Sequence, residues 1–141
     1  MKKIWLVCFV CLICLICLSD VAKAKSFDDY LRGYTHQENS DSRILFQEIY
    51  DMVSQGKAVI LDVRLDDEKT IEIEGVNVTR IPINKLPDEY QTLPKDKLII
   101  TVCAGGARSM IARLYLITKG YNSRYAMYGI YDLKQGFALA K

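Results

Sequence analysis

Histidine, tryptophan and proline are scarce in this chain of 141 residues, which contains one, one and three of them respectively. The single histidine, His36, lies in a polar stretch with no other metal-ligating side chain nearby, so we expect it at the surface. Outside its N-terminal apolar run, the sequence also lacks internal repeats and low-complexity segments. It therefore predicts neither a metal site nor a repeat architecture, and its length suits a single domain.

Apolar residues form one long unbroken run, residues 4–18, which follows two lysines at the N-terminus. Ala22 and Ala24 then supply small residues at the −3 and −1 positions of a cleavage site. This pattern predicts a secretory signal peptide, residues 1–24, and hence a periplasmic or secreted protein. The alternative is an uncleaved membrane anchor. The run is shorter than the roughly 20 residues of a spanning helix, which favours cleavage.

Cysteine is almost absent outside that run. Four of the five cysteines lie within it, and each follows a bulky valine or isoleucine, whereas a lipoprotein signal places a small residue before its cysteine. Cleavage would leave Cys103 without a disulfide partner or a resolving cysteine, which argues against dithiol redox chemistry. Cys103 is then a free thiol in an exported chain, or alternatively a buried, inert cysteine that packs as a small apolar residue.

Removal of the predicted signal peptide also removes the small excess of positive charge. Sixteen basic and sixteen acidic residues remain. A chain without net charge has no long-range attraction for nucleic acid or for an anionic membrane surface. We therefore expect neither as a partner, and expect membrane association only if the signal is retained.

The order of the apolar patterns predicts one α/β domain, residues 42–141, after a polar and irregular extension, residues 25–41. Short runs of aliphatic residues alternate with helical patterns, which is typical of a small, mainly parallel sheet flanked by helices. The predicted helices are residues 42–55, 87–89, 109–119 and 130–139, and the predicted strands are residues 58–64, 76–83, 98–102 and 123–128.

The most distinctive stretch surrounds Cys103. A β-branched run, residues 98–102, leads directly into this cysteine, and small residues and a helical pattern follow. The residues of the loop are Ala104, Gly105, Gly106, Ala107, Arg108 and Ser109. This order predicts a strand, a tight loop and a helix N-terminus. Inward-pointing N–H groups and the positive end of the helix favour an anion, so we expect the pKa of Cys103 to lie below that of an ordinary thiol.

Asp62 and Arg64 end the run of residues 58–64, and their side chains leave a strand on the same side. In open α/β sheets, ligands bind beyond the carboxyl ends of the strands. The pair could therefore lie near the Cys103 loop and bind substrate. Alternatively, it could be a structural ion pair that fixes the loop after the strand, and the sequence favours neither interpretation.

Several stretches match the pattern of one known family. They are Asp62-Val63-Arg64, residues 93–97 before a strand, Cys103-x-x-Gly106-x-Arg108-Ser109, Gly120-Tyr121 and Tyr128-Gly129-Ile130. Together they resemble a single-domain rhodanese, in particular the small exported members that are periplasmic thiosulfate sulfurtransferases. The likeness covers roughly residue 42 to the C-terminus. Residues 73–78 lack a histidine that the family often has, and Leu133 stands where a tryptophan is common.

This resemblance implies sulfane-sulfur transfer. The Cys103 thiolate would attack the outer sulfur of a donor such as thiosulfate, and the resulting persulfide would pass its sulfur to a thiophilic acceptor, either cyanide or a thiol. The N–H groups from Ala104 to Ser109 would stabilise the terminal sulfur, and Arg108 would orient an anionic donor. No cofactor or metal is implied, and a sulfur-relay protein is a possible partner.

Two alternatives remain open at this point. Phosphatases and arsenate reductases with a related loop have five residues between cysteine and arginine, whereas this loop has four. The shorter loop makes a tighter cradle that suits a single sulfur atom rather than a tetrahedral phosphate, which favours sulfur transfer. The other alternative is a non-catalytic module that binds a partner or carries a persulfide formed elsewhere.

Overall fold

The computed structural model describes residues 26–140 and contains a five-stranded parallel sheet in the order β1-β5-β4-β2-β3. The strands are β1 (Arg43–Ile44), β2 (Ala58–Asp62), β3 (Val78–Arg80), β4 (Leu98–Val102) and β5 (Ser123–Ala126). The helices are α1 (Phe27–Arg32), α2 (His36–Asp41), α3 (Phe46–Ser54), α4 (Leu86–Glu89), α5 (Ala107–Thr118) and α6 (Ile130–Leu139). This architecture confirms the predicted α/β class. The predicted signal peptide lies outside the described residues.

The central strand β4 is buried on both faces, which explains its uninterrupted apolar sequence. Leu98, Ile100 and Val102 belong to one core cluster, together with residues of β2 and α6. Ile99 and Cys103 belong to a second cluster on the other face, together with residues of α5. The strand therefore delivers the Cys103 thiol into a packed environment beneath α5.

Helix α5 begins where the loop after Cys103 makes a sharp turn. Gly106, immediately before the helix, has φ +94°, a conformation that a side chain disfavours. The Thr101 hydroxyl donates a 2.8 Å hydrogen bond to the Ser109 carbonyl, which ties the first turn of α5 to strand β4. The loop is thus held at both ends by the sheet and by the helix.

The N-terminal segment differs from its prediction. We expected residues 25–41 to be irregular, but residues 26–41 contain α1 and α2, which begin at the hydroxyl caps Ser26 and Thr35. The predicted helix 42–55 also begins later than expected, at Phe46, because residues 43–44 form the edge strand β1 beside β5. Short polar segments of this kind have little apolar periodicity from which a helix could be predicted.

Arg113 fastens the N-terminal segment to the domain. Its guanidinium is buried and donates to the Tyr30 hydroxyl at 2.9 Å and to Glu38 Oε1 at 2.6 Å. It also donates to the Ser123 carbonyl at 3.2 Å, at the start of β5. One side chain of α5 therefore joins α1, α2 and the sheet.

The remaining strands and helices agree with the predictions in position, although β2, β3 and β5 are shorter than the predicted strands 58–64, 76–83 and 123–128. Residues 63–77 connect β2 and β3 without a helix or a regular strand. Among residues 26–140, no helix is long and apolar enough to cross a membrane.

Replacement of Tyr30 by alanine tests the attachment of the N-terminal segment. Tyr30→Ala removes a buried ring and its hydrogen bond to Arg113, and we expect the free energy of unfolding to fall by about 2–4 kcal/mol. Leu31→Ala is the control, because Leu31 is exposed on the same helix and its loss should cost about 0.5 kcal/mol or less. Urea unfolding measures the free energy of unfolding of both variants. Equal losses of stability would contradict the role of Tyr30 in attaching the N-terminal segment.

Candidate active site

The Cys103 sulfur lies inside the loop that follows β4. The N–H of Gly106 donates to Sγ at 3.1 Å, and the Sγ–H faces the Ser109 hydroxyl oxygen at 3.7 Å. The same hydroxyl donates to the Gly106 carbonyl at 2.7 Å, which closes the turn. The thiol is 2% exposed and is the only cysteine between residues 26 and 140.

Two opposing effects set the acidity of this thiol. Burial by itself raises the pKa of Cys103, because apolar surroundings disfavour the charged thiolate. Hydrogen bonds from the N–H groups of Gly105, Ser109 and Gly106 act in the opposite direction, as does the hydrogen bond between the sulfur and the Ser109 hydroxyl. These donors outweigh burial, so the pKa of Cys103 lies below its ordinary value. This agrees with the expectation from the loop sequence.

Arg108 stands beside the thiol and pairs with Glu68. The guanidinium interacts with Cys103 and also grips both carboxylate oxygens of Glu68, through Nη1 to Oε2 and through Nη2 to Oε1 at 3.0 Å. The Leu65 N–H donates to Glu68 Oε2 at 2.9 Å. The Arg108 contact, partly opposed by burial and aided by the Leu65 N–H, lowers the pKa of Glu68 to about 2. Glu68 is therefore ionised at physiological pH and fixes the direction of Arg108.

Asp62 and Arg64 form a buried ion pair. Arg64 Nη2 lies 2.7 Å from Asp62 Oδ2 and its Nε lies 3.0 Å from Oδ1, and both residues are about 1% exposed. The Arg64 guanidinium also lies 5.7 Å from the centre of the Tyr131 ring. Of the two interpretations drawn from the sequence, this geometry favours the structural ion pair. Breaking such a pair at one partner leaves a buried charge, which costs about 3–5 kcal/mol.

The loop is clamped from the other side by the start of α6. The Ile130 N–H donates to the Cys103 carbonyl at 2.9 Å. A side chain at Gly129 would bring its Cβ to 2.2 Å from the Ala104 carbonyl oxygen, so only glycine fits this close approach. Asp132 accepts from the Gly129 N–H at 3.0 Å and caps the helix.

The structure therefore brings most of the predicted loop together around one sulfur atom. Gly105, Gly106 and Ser109 supply donors to it, whereas Ala104 and Ala107 are exposed on the outer side of the loop. Sequence reasoning missed Glu68 and the closing role of Gly129. A carboxylate in the loop after β2 was a usable signal for Glu68, because β2 and β4 end side by side at the same edge.

Other features of the described residues do not suggest a second centre of chemistry. No cluster of histidine, cysteine and carboxylate side chains between residues 26 and 140 could hold a metal ion. A cleft of about 600 Å³ lies between the N-terminal segment and α5. It is lined by residues 120–124 at the start of β5, which is the end of the sheet opposite to Cys103.

Comparisons with known proteins agree with this geometry. A tRNA sulfurtransferase of Psychromonas ingrahamii is 38% identical over 68 residues, which are 46% of this chain and 14% of that protein. A rhodanese-like domain protein of Staphylococcus aureus matches with a TM-score of 0.56 and 29% identity over 64% of this chain and 88% of that one. An NAD-dependent persulfide reductase of A. fulgidus matches with a TM-score of 0.51 and 32% identity, covering 72% of this chain and 17% of that one.

The chain spans less than a fifth of the length of the curated tRNA sulfurtransferases that it matches. The names of these relatives support sulfur transfer as the broad class of activity. The sequence model of the rhodanese-like domain family matches residues 45–139. These residues include strands β2, β3, β4 and β5 and the Cys103 loop. The chain therefore belongs to the rhodanese-like domain family.

Proposed function

We propose that this protein is a thiosulfate sulfurtransferase-type enzyme that moves sulfane sulfur through a persulfide on Cys103. The observation that carries the proposal is the ring of hydrogen-bond donors around a buried thiol whose pKa is lowered. A thiolate is the nucleophile that sulfur transfer requires. Family membership supports the same class of reaction.

In the first step, the Cys103 thiolate attacks the outer sulfur of the donor. With thiosulfate, a new S–S bond forms on Cys103, the S–S bond of the donor breaks, and sulfite leaves with the bonding electron pair. In the second step, a thiophilic acceptor such as cyanide or a thiolate attacks the terminal sulfur and Cys103 returns as thiolate. The two covalent steps predict ping-pong kinetics.

The loop would stabilise the negative terminal sulfur of the persulfide. The N–H groups of Gly105, Gly106 and Ser109 already converge on the thiol. They need not reorganise when the negative charge moves from Sγ of Cys103 to the terminal sulfur of the persulfide. Glu68 is a positioning residue in this scheme, because it holds Arg108 beside the sulfur. No histidine base is required when the loop itself maintains the thiolate.

We further propose that this chemistry takes place outside the cytoplasm. The support is the N-terminal pattern of lysines, apolar run and small residues, which is typical of an export signal.

Mass spectrometry of the intact protein tests the covalent step. After treatment with thiosulfate or, separately, methanethiosulfonate, we expect a gain of about 32 Da, the mass of one sulfur atom, that cyanide removes. Cys103→Ser should show no gain, and circular dichroism should show that this variant folds. A protein that gains no sulfur from either donor would contradict the proposed function, as would a phosphatase activity larger than the sulfurtransferase activity.

Removal of the Ser109 hydroxyl tests how the loop holds the thiolate. Ser109→Ala deletes a hydroxyl 3.7 Å from Sγ that can turn from the Gly106 carbonyl to donate to the thiolate, so the pKa of Cys103 should rise and less thiolate should be present at low pH. We expect persulfide formation to slow about three- to tenfold on the acidic limb of the pH–rate profile, with an unchanged plateau at high pH. Thr118→Ala is the matched control, because it removes a hydroxyl from the far end of the same helix. Superimposable profiles for Ser109→Ala and the wild type would rule out this role.

A further inference from the structure

The positive charge of Arg108 is already neutralised. Both of its terminal nitrogens contact the Glu68 carboxylate, and Glu68, with a pKa of about 2, stays ionised at physiological pH. The two side chains are about 30% exposed, so the pair forms part of the surface that an incoming donor meets. A sulfur donor therefore approaches a neutral pair rather than a free guanidinium.

Other cations at this edge of the sheet are also paired with carboxylates. Arg64 pairs with Asp62 at 2.7 Å, and Lys85 pairs with Asp66 at 2.6 Å. Arg80 lies 4.0 Å from Asp62 and donates to the Leu65 and Glu68 carbonyls. The cations at this edge are matched in number by carboxylates: Arg64, Lys69, Arg80, Lys85 and Arg108 face Asp62, Asp66, Asp67, Glu68 and Asp132. The approach to Cys103 thus has no excess of positive side-chain charge for a dianion.

The outer surface of the loop carries no side-chain charge. Ala104, Gly105 and Ala107 are exposed and offer only backbone groups and methyl groups to a ligand. The donors that remain are the N–H groups directed at the sulfur itself. These recognise the transferred sulfur atom, but they leave the remainder of the donor molecule without a charged partner.

Exposed apolar side chains surround the same edge, and we call them the apolar rim. They are Leu65, Met110, Met127, Tyr128 and Tyr131, each between 37% and 51% exposed. Leu65 precedes the loop that holds Glu68, and Met110 lies two residues beyond Arg108. Met127 and Tyr128 follow the end of β5, and Tyr131 lies in the first turn of α6.

From the paired charges and the apolar rim together, we propose that the preferred donor carries at most one negative charge and an apolar group. Organic persulfides and organic thiosulfonates belong to this class, whereas the thiosulfate dianion does not. The proposal rests on the function proposed above and specifies the donor for the same site. With a thiosulfonate anion, RSO2S⁻, the Cys103 thiolate gains the outer sulfur as a persulfide, the donor S–S bond breaks, and the sulfinate RSO2⁻ leaves with the electron pair.

A comparison of three stable donors tests the proposal on the full protein. Thiosulfate, methanethiosulfonate and benzenethiosulfonate transfer the same kind of sulfur, but they differ in charge and in apolar area. We expect the rate constant for persulfide formation to be at least tenfold higher with benzenethiosulfonate than with thiosulfate, and intermediate with methanethiosulfonate.

Substituted variants separate the effect of the site from the intrinsic reactivity of each donor. Ala104→Lys adds one charge to the exposed loop and should raise the rate with thiosulfate, relative to benzenethiosulfonate, about tenfold. Ala138→Lys adds the same charge at the far end of α6 and should leave the ratio unchanged. Met127→Ser should lower the rate with benzenethiosulfonate several-fold but not the rate with methanethiosulfonate. Leu139→Ser, which removes a side chain that is 88% exposed, should lower neither.

The possible outcomes distinguish the two proposals. If no donor produces a persulfide, the proposed function itself fails. If persulfide forms, but thiosulfate reacts as fast as benzenethiosulfonate or Ala104→Lys leaves the ratio unchanged, the donor preference is wrong and the function stands. Equal effects of the two lysine substitutions would also contradict it, because the argument requires a local charge. Equal effects of the two serine substitutions would exclude the apolar rim as a donor contact.

Discussion

The site depends on hydrogen bonds from the loop to one sulfur atom. Burial of Cys103 on its own would favour the neutral thiol and would leave it inert. The N–H groups of Gly105, Gly106 and Ser109 reverse this balance, and they can do so only if the backbone makes a narrow turn around the sulfur. The positive φ of Gly106 provides that turn. The same donors can hold the additional sulfur of a persulfide, so one arrangement serves both covalent states.

The parallel sheet determines where this turn lies. Strand β4 is central and buried on both faces, so its carboxyl end opens between the loops that follow β2 and β5. The loop after β2 supplies Glu68, which directs Arg108, and the segment after β5 supplies Gly129 and Ile130, which close on the Cys103 backbone. Thr101 ties the strand to helix α5 from below. Three connections therefore fix the loop, although none of them contributes the nucleophile.

Sequence reasoning predicted the α/β class, the central strand, helix α5 and the loop, because apolar runs and small residues carry a local signal. It did not predict α1, α2 or β1, since their formation depends on Arg113 and on pairing with β5, which are distant in sequence. Glu68 was missed for the same reason, because its partner lies 40 residues away. The sequence left Asp62 and Arg64 with two interpretations, and their burial favours the ion pair.

The central claim is that the loop, and not a separate base, lowers the pKa of Cys103 and so favours its thiolate. The most direct measurement is a pH titration of thiolate absorbance in the ultraviolet, with Cys103→Ser as the blank. The account predicts a single transition with a midpoint below that of an ordinary cysteine, as the lowered pKa of Cys103 requires. A midpoint at or above the ordinary value would show that burial dominates, and would contradict the account.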